Sequence, residues 1–149
     1  MTLNERVTED MKSAMRSGEK LKLETLRSLR AHLIELTKRG DGKEITPEDE
    51  LAVLMTAVKK RKEAIELYRK GGREELAVQE EQELEIINLY MPKQASREEA
   101  EGIITRLIAQ TGALTAKDFG KVMPLAMKEL KGRIDGKIVQ ELVKSKLQA

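Results

Sequence analysis

The residues of this chain that could do chemistry are few, and their spacing favours binding over catalysis. His32 is the sole histidine, so no second imidazole stands one helical turn away to share a metal with it. Its place between Leu21 and Leu36, at the edge of an apolar stripe, predicts a packed structural side chain. The absence of cysteine excludes thiol nucleophiles, disulfides and cysteine metal sites. Ser13, Ser17, Ser28, Ser96 and Ser145 are not paired with a recognisable lysine or histidine base, so no activated nucleophile is expected. Glu80, Glu81, Glu83 and Glu85 offer carboxylates close enough for an acid and base pair or a metal site, yet on a water-facing helix such charges are expected to be solvated or ion-paired. Gly132 to Lys137, reading GRIDGK, has the wrong glycine spacing for a phosphate loop, no Ser or Thr after its lysine and no strand before it. The pattern predicts no catalytic residue, no metal ligand and no cofactor.

Positive charge is the chemistry that remains. Residues 101–149 hold nine Lys and Arg against five Asp and Glu, whereas residues 1–100 hold 19 against 21. A basic tail points toward a polyanionic partner. The candidate RNA contacts are Lys117, Lys121, Lys128, Lys131, Arg133, Lys137, Lys144 and Lys146. Several lie near Gly132, where the last helix begins and free backbone amides attract anions, although Asp135 takes the cap there. A phosphate-binding surface and a plain solvated face are both open readings of that set. The run Lys59 to Lys62 either contacts phosphate or coats its helix, and the coat is favoured. With only Tyr68, Tyr90 and Phe119 as aromatics, no surface can stack several bases, which excludes the usual single-strand binders.

These side chains must be positioned by helices. Charged residues are 36% of the 149, and the usage of Leu, Glu, Lys and Ala predicts an all-α protein with one good core or two small ones. Thr2 and Glu5 form a capping box for a first helix with Leu3, Val7, Met11 and Met15 or Ala14 inward, ended by Gly18. A second helix, Lys20 to Arg39, turns Leu21, Leu26, Leu29, Leu33 and Leu36 to one side. Gly40-Asp41-Gly42 is a turn, then Thr46 caps and Pro47 opens a third helix reaching Lys70. Gly71-Gly72 reverses the chain into a fourth helix through Leu76, Ile87 and Tyr90. That helix stops near Met91, because Pro92 lacks a donor and pushes its predecessor out of the α region. Ser96 and Glu99 form the next capping box. Three helices follow: Arg97 to Thr111, one started by Thr115 and Asp118 that Pro124 should kink, and one capped by Asp135.

Folding the third and fourth helices about Gly71-Gly72 pairs residues whose numbers add to about 144. Tyr68 then meets Leu76, Val58 meets Ile86, Leu54 meets Tyr90, and Arg61 meets Glu83. Arg61 flanks an apolar stripe and Glu83 falls on the inward face of its helix, so a partly buried structural ion pair is expected, joined by Lys62 and Glu80. Lys59 and Lys60 should be solvated.

The stretch Glu83 to Glu99, with Leu84, Ile87, Tyr90-Met91-Pro92, Gln94 and Ser96 to Glu99, resembles the hinge of YqeY-like proteins, the stand-alone relatives of the GatB tail domain. Gly120 to Met123, Lys131-Gly132 and the helix from Ile138 to Leu147 resemble that family's C-terminal end. Ala95, where the family tends to have leucine, and Pro124 depart from the pattern. The resemblance implies residues 1–91 as an N-terminal helical hairpin bundle and 96–149 as a small GatB-tail-like three-helix domain. It implies a non-catalytic module facing tRNA or other RNA, since the corresponding tail of GatB helps hold tRNA.

Two alternatives accompany that expectation. The family's association with carbon-nitrogen ligase activity, using glutamine as amide donor, suggests an accessory component of a tRNA-dependent amidotransferase. Exposed helix faces suggest a protein-protein adaptor. The expected partners are therefore RNA, or an amidotransferase or other translation-related protein. The N-terminus carries Glu5, Arg6, Glu9 and Asp10 in place of an apolar run, and no segment reaches membrane-spanning length, so a cytoplasmic monomer without membrane contact is expected.

Overall fold

Helix-forming residues punctuated by caps and glycines give helices in the places their signals mark. The computed structural model describes residues 1–40 and 42–148, and those residues contain no strand. Among them run α1 (Leu3–Ser17), α2 (Lys20–Thr37), α3 (Pro47–Lys70), α4 (Glu74–Asn88), α5 (Arg97–Thr111), α6 (Phe119–Leu130) and α7 (Gly136–Leu147). A 3-10 turn, Ala116–Asp118, leads into α6. The Thr2 and Glu5 box forms at α1, and Thr46 with Asp49 makes another at α3, where Pro47 loses nothing by lacking a donor. At α5 only the serine half is made, the Glu99 amide donating to Ser96 Oγ at 3.0 Å. Gly112 ends α5 at φ 70°, a conformation that would strain any side chain with a Cβ. Asp41, the middle of the expected Gly40-Asp41-Gly42 turn, lies outside the described residues.

The chain divides into two compact units, Met1–Met91 and Pro92–Ala149. In the first, α3 and α4 form the antiparallel hairpin, α1 packs along α2, and α2 joins the pairs. Leu3, Val7, Leu26, Leu29, Leu33, Leu54, Ala57, Ile87 and Tyr90 make its core. Glu50 of α3 accepts the Leu3 amide at 2.7 Å, so the start of α1 is capped by a side chain 47 residues away. Of the two residues expected to end the α1 stripe, Ala14 is buried and Met15 is 61% exposed. Three expectations shift here. Ala77 takes the buried place near the hairpin turn and Leu76 points outward, because a small residue suits close helix approach. The helix ahead of Pro92 ends at Asn88, after which tight i to i+3 bonds from the Leu89, Tyr90 and Met91 amides unwind it. His32 is exposed and not packed: it sits one residue, about 100° of helix, off the Leu26, Leu29 and Leu33 stripe.

In the second unit α5, α6 and α7 pack around Ile104, Leu107, Val122, Ala126, Leu130, Val139, Leu142, Val143 and Leu147. Helix α6 runs through Pro124, and Leu125 beside it is exposed. The polar stretch after Pro92, expected to act as a hinge, is tied to this unit. Ala95 N donates to the Arg133 carbonyl at 2.7 Å, Gln94 Nε2 to the Gly132 carbonyl at 2.8 Å, and Arg133 Nε to the Lys93 carbonyl at 2.9 Å. These bonds answer backbone groups that no helix satisfies.

Candidate functional site

The basic residues of the tail fall at the two ends of one helical hairpin. Phe119, at the start of α6, lies beside Lys144 near the end of α7, so the helices run antiparallel. Lys128, Lys131, Arg133 and Lys137 therefore cluster about the α6 to α7 turn, and Lys117, Lys121, Lys144 and Lys146 about the opposite end. With α6 twelve residues long, the groups stand about 18 Å apart along the axis. The sequence suggests one set; the fold makes two.

These side chains differ in what holds them. Arg133 is half-buried and fastened to the Lys93 carbonyl, so it positions the chain entering this unit. Lys121 Nζ is 3.5 Å from Asp118, and Lys144 Nζ sits 5.9 Å from the centre of the Phe119 ring. A shallow depression of about 240 Å³ opens there, lined by Ala116, Phe119, Lys144, Leu147 and Gln148. Lys117, Lys128, Lys131, Lys137 and Lys146 are exposed and have no acidic partner among the described residues.

Most carboxylates of the unit are occupied instead. The Leu114 and Thr115 amides donate to Asp118, and these bonds, with Lys121 beside it, hold its carboxyl below the usual range. Asp135 accepts from the Lys137 amide at 2.8 Å, which closes the α7 N-terminus to an outside anion. Glu129 pairs with Arg106, and Glu101 lies 3.8 Å from Arg97. Each of these ion pairs takes a cation with its acid, so the unit's positive excess is carried by the exposed lysines that have no acidic partner among the described residues. Among the described residues no cluster of three metal-ligating side chains exists.

The family model described as Yqey-like protein matches residues 4–147. The chain belongs to the YqeY-like family. A protein of Pyrenophora tritici-repentis named "Altered inheritance of mitochondria protein 41, mitochondrial" is similar to this YqeY-like chain, 32% identical over 149 residues, covering 96% of this chain and 77% of that protein. An uncharacterized protein of Schizosaccharomyces pombe is 35% identical over 83 residues, 56% of this chain and 67% of that protein. Neither name assigns an RNA or an amidotransferase. No helix among the described residues is long and apolar enough to cross a membrane.

In this YqeY-like chain the tyrosine ahead of Pro92 has a structural task. Tyr90 is buried, its hydroxyl donates to Asp10 of α1, and the Arg6 guanidinium lies 5.2 Å from the centre of its ring. The sequence pairs Tyr90 with Leu54 and gives no sign of Asp10 and Arg6, because contacts between α1 and α4 follow from how four helices pack and not from one hairpin's register.

Of the pairs expected from the hairpin register, Arg61 and Glu83 meet, whereas Leu76, expected opposite Tyr68, is exposed. Arg61 Nη2 is 3.7 Å from Glu83 Oε1, with both side chains largely buried, while Lys62 is exposed and makes no ion pair among the described residues. Glu80 is half-buried and acts on Glu83 as a repelling neighbour, not as a second partner for arginine. Burial, then Glu80, raise the Glu83 carboxyl above its ordinary range against the pull of Arg61, and Glu24 adds a little. A carboxyl raised in the folded state contributes stability that is present below its unfolded pKa and lost as pH rises through the folded one. Charged Glu83 is therefore a cost at neutral pH that Arg61 limits. We expect Glu83→Gln to change stability by less than about 0.5 kcal/mol at pH 7, and Arg61→Gln to lower it by about 1–3 kcal/mol. Equal losses from the two variants in urea unfolding would contradict this asymmetry.

Proposed function

We propose that this protein is a non-catalytic accessory module that faces tRNA or another RNA through the lysines of its C-terminal unit. One observation carries the reading: in that unit the acids are mostly caps or ion-pair partners, while Lys117, Lys128, Lys131, Lys137 and Lys146 stand exposed without acidic partners among the described residues. Lysines so placed answer a run of phosphates better than one compact anion, because each acts as a separate point charge. Sequence-specific readout is not part of the proposal, since Phe119 is the sole aromatic of the unit.

Resemblance to the GatB tail supports tRNA over other RNA, and any link to glutamine-dependent amidotransferase chemistry is proposed as accessory. A monomer in the cytoplasm completes the reading. Crosslinking in cells, followed by sequencing of bound RNA and identification of bound protein, tests it. Enrichment of tRNA is expected; recovery of protein partners with no RNA above background would overturn it.

A further inference from the structure

A groove of about 270 Å³ opens between α2 and α3 in the N-terminal unit. It exists because α3 packs chiefly on α4 and α1 on α2, so α2 and α3 touch less than either does its main neighbour. Leu36, Val53 and Ala57 give it apolar walls. His32 and Glu35 from α2, and Thr56 and Lys60 from α3, bring polar groups to it, and Arg39 and Arg61 also line it. Of the three cations in the lining, Arg39 is paired with Asp49 and Arg61 lies 3.7 Å from Glu83, which leaves Lys60 as the lining cation that has no acidic partner among the described residues.

Arg61 is the decisive residue. Its Nη1 donates to the Ala57 carbonyl at 3.1 Å, its Nη2 reaches Glu83 only at 3.7 Å, and its Nε is buried without an acceptor. A largely buried guanidinium ordinarily uses most of its five donors on acceptors of good geometry. This one has donors to spare. Lys60 beside it is exposed and has no ion pair among the described residues. One histidine and one glutamate do not make a metal site, whereas an apolar wall next to the free ammonium of Lys60 and the unused donors of Arg61 suits an amphipathic anion.

We propose that the groove binds a small organic anion, a carboxylate or phosphate on an apolar body. The body lies on Leu36, Val53 and Ala57, and the anionic group meets Lys60 and Arg61. The volume is slightly below the usual range of ligand pockets, roughly 300–1,000 Å³, so the fitting ligand is near one aromatic ring plus its charged group. This site lies in the unit that the RNA proposal does not use, so either can fail alone.

Titration of the full chain with phenyl phosphate and with benzoate, followed by amide NMR shifts, tests the proposal. Saturable shifts at Val53, Thr56 and Lys60 are expected for at least one probe, in the millimolar range set by so few atoms. Benzyl alcohol and inorganic phosphate should each bind at least about tenfold more weakly, since each supplies half of the recognition. Lys60→Glu, at an exposed position, should weaken the anionic probe about tenfold, and Thr56→Phe should block the groove. Absence of groove shifts with both probes, equal binding of inorganic phosphate, or unchanged binding in both variants would overturn it.

Discussion

Replacing Tyr90 by alanine is expected to destabilise the N-terminal unit by about 3–5 kcal/mol, the range for truncating a buried aromatic, and replacing it by phenylalanine by about 1.5–3 kcal/mol. The ring is part of the core with Leu3, Val7 and Ile87, so alanine leaves a cavity. Phenylalanine keeps the packing and removes only the donor to Asp10, a bond to a charged group and therefore stronger than a neutral one. Burial first, then Asp10, pushes the Tyr90 hydroxyl far above the usual tyrosine range. A group raised in this way contributes stability that is fully present below its unfolded pKa, about 10, and lost only as pH rises through the folded value. The phenylalanine deficit should accordingly be constant from pH 6 to about 9. Amide exchange in α1 and α4 of the full chain measures it, and a deficit below about 0.5 kcal/mol would remove the Tyr90 and Asp10 bond from the account.

Loss of the lysines around the α6 to α7 turn should have the largest effect on binding. Each neutralised phosphate contributes about 0.7–0.9 to the dependence of log affinity on log salt, which at 0.15 M is roughly four- to fivefold per lysine. Lys128→Ala, Lys131→Ala and Lys137→Ala combined should therefore weaken tRNA binding roughly 50- to 200-fold. Arg133 is left intact in this variant because its guanidinium holds the Lys93 carbonyl, and its loss would mix folding with binding. Alanine at Lys59, Lys60 and Lys62 on α3 serves as the control and should change binding by no more than about twofold. A control that equals the tail variant would move the interface to the other unit.

Helices were legible in this sequence because their ends are chemically marked. Thr46-Pro47, Ser96, Gly18 and Gly112 each satisfy or terminate a local backbone need, and local needs can be read without a fold. The Arg61 and Glu83 juxtaposition was legible for a similar reason, since a two-glycine turn fixes the register of the helices on either side. What the sequence hid depends on packing between elements distant along the chain. His32 differs from a core residue by a single step of helical rotation, and Glu35, one turn further on, enters the α2 to α3 groove beside it. Arg133 looks like any other tail cation until the chain around Lys93 is brought to it. The eight basic residues read as one group in sequence and become two only when α7 folds back along α6. Glu80 looked like a second partner for arginine, yet shared burial on the same helix makes it an opponent of Glu83.

The central claim is that the lysines of the C-terminal unit meet RNA as separate charges, and salt dependence measures that most directly. Affinity of the full chain for tRNA, taken at several salt concentrations, should fall linearly on logarithmic axes. In the Lys128, Lys131 and Lys137 variant the slope should be smaller by roughly two to three, at about 0.7–0.9 per lost phosphate contact. An affinity independent of salt, or a slope that the triple variant leaves unchanged, would contradict the account.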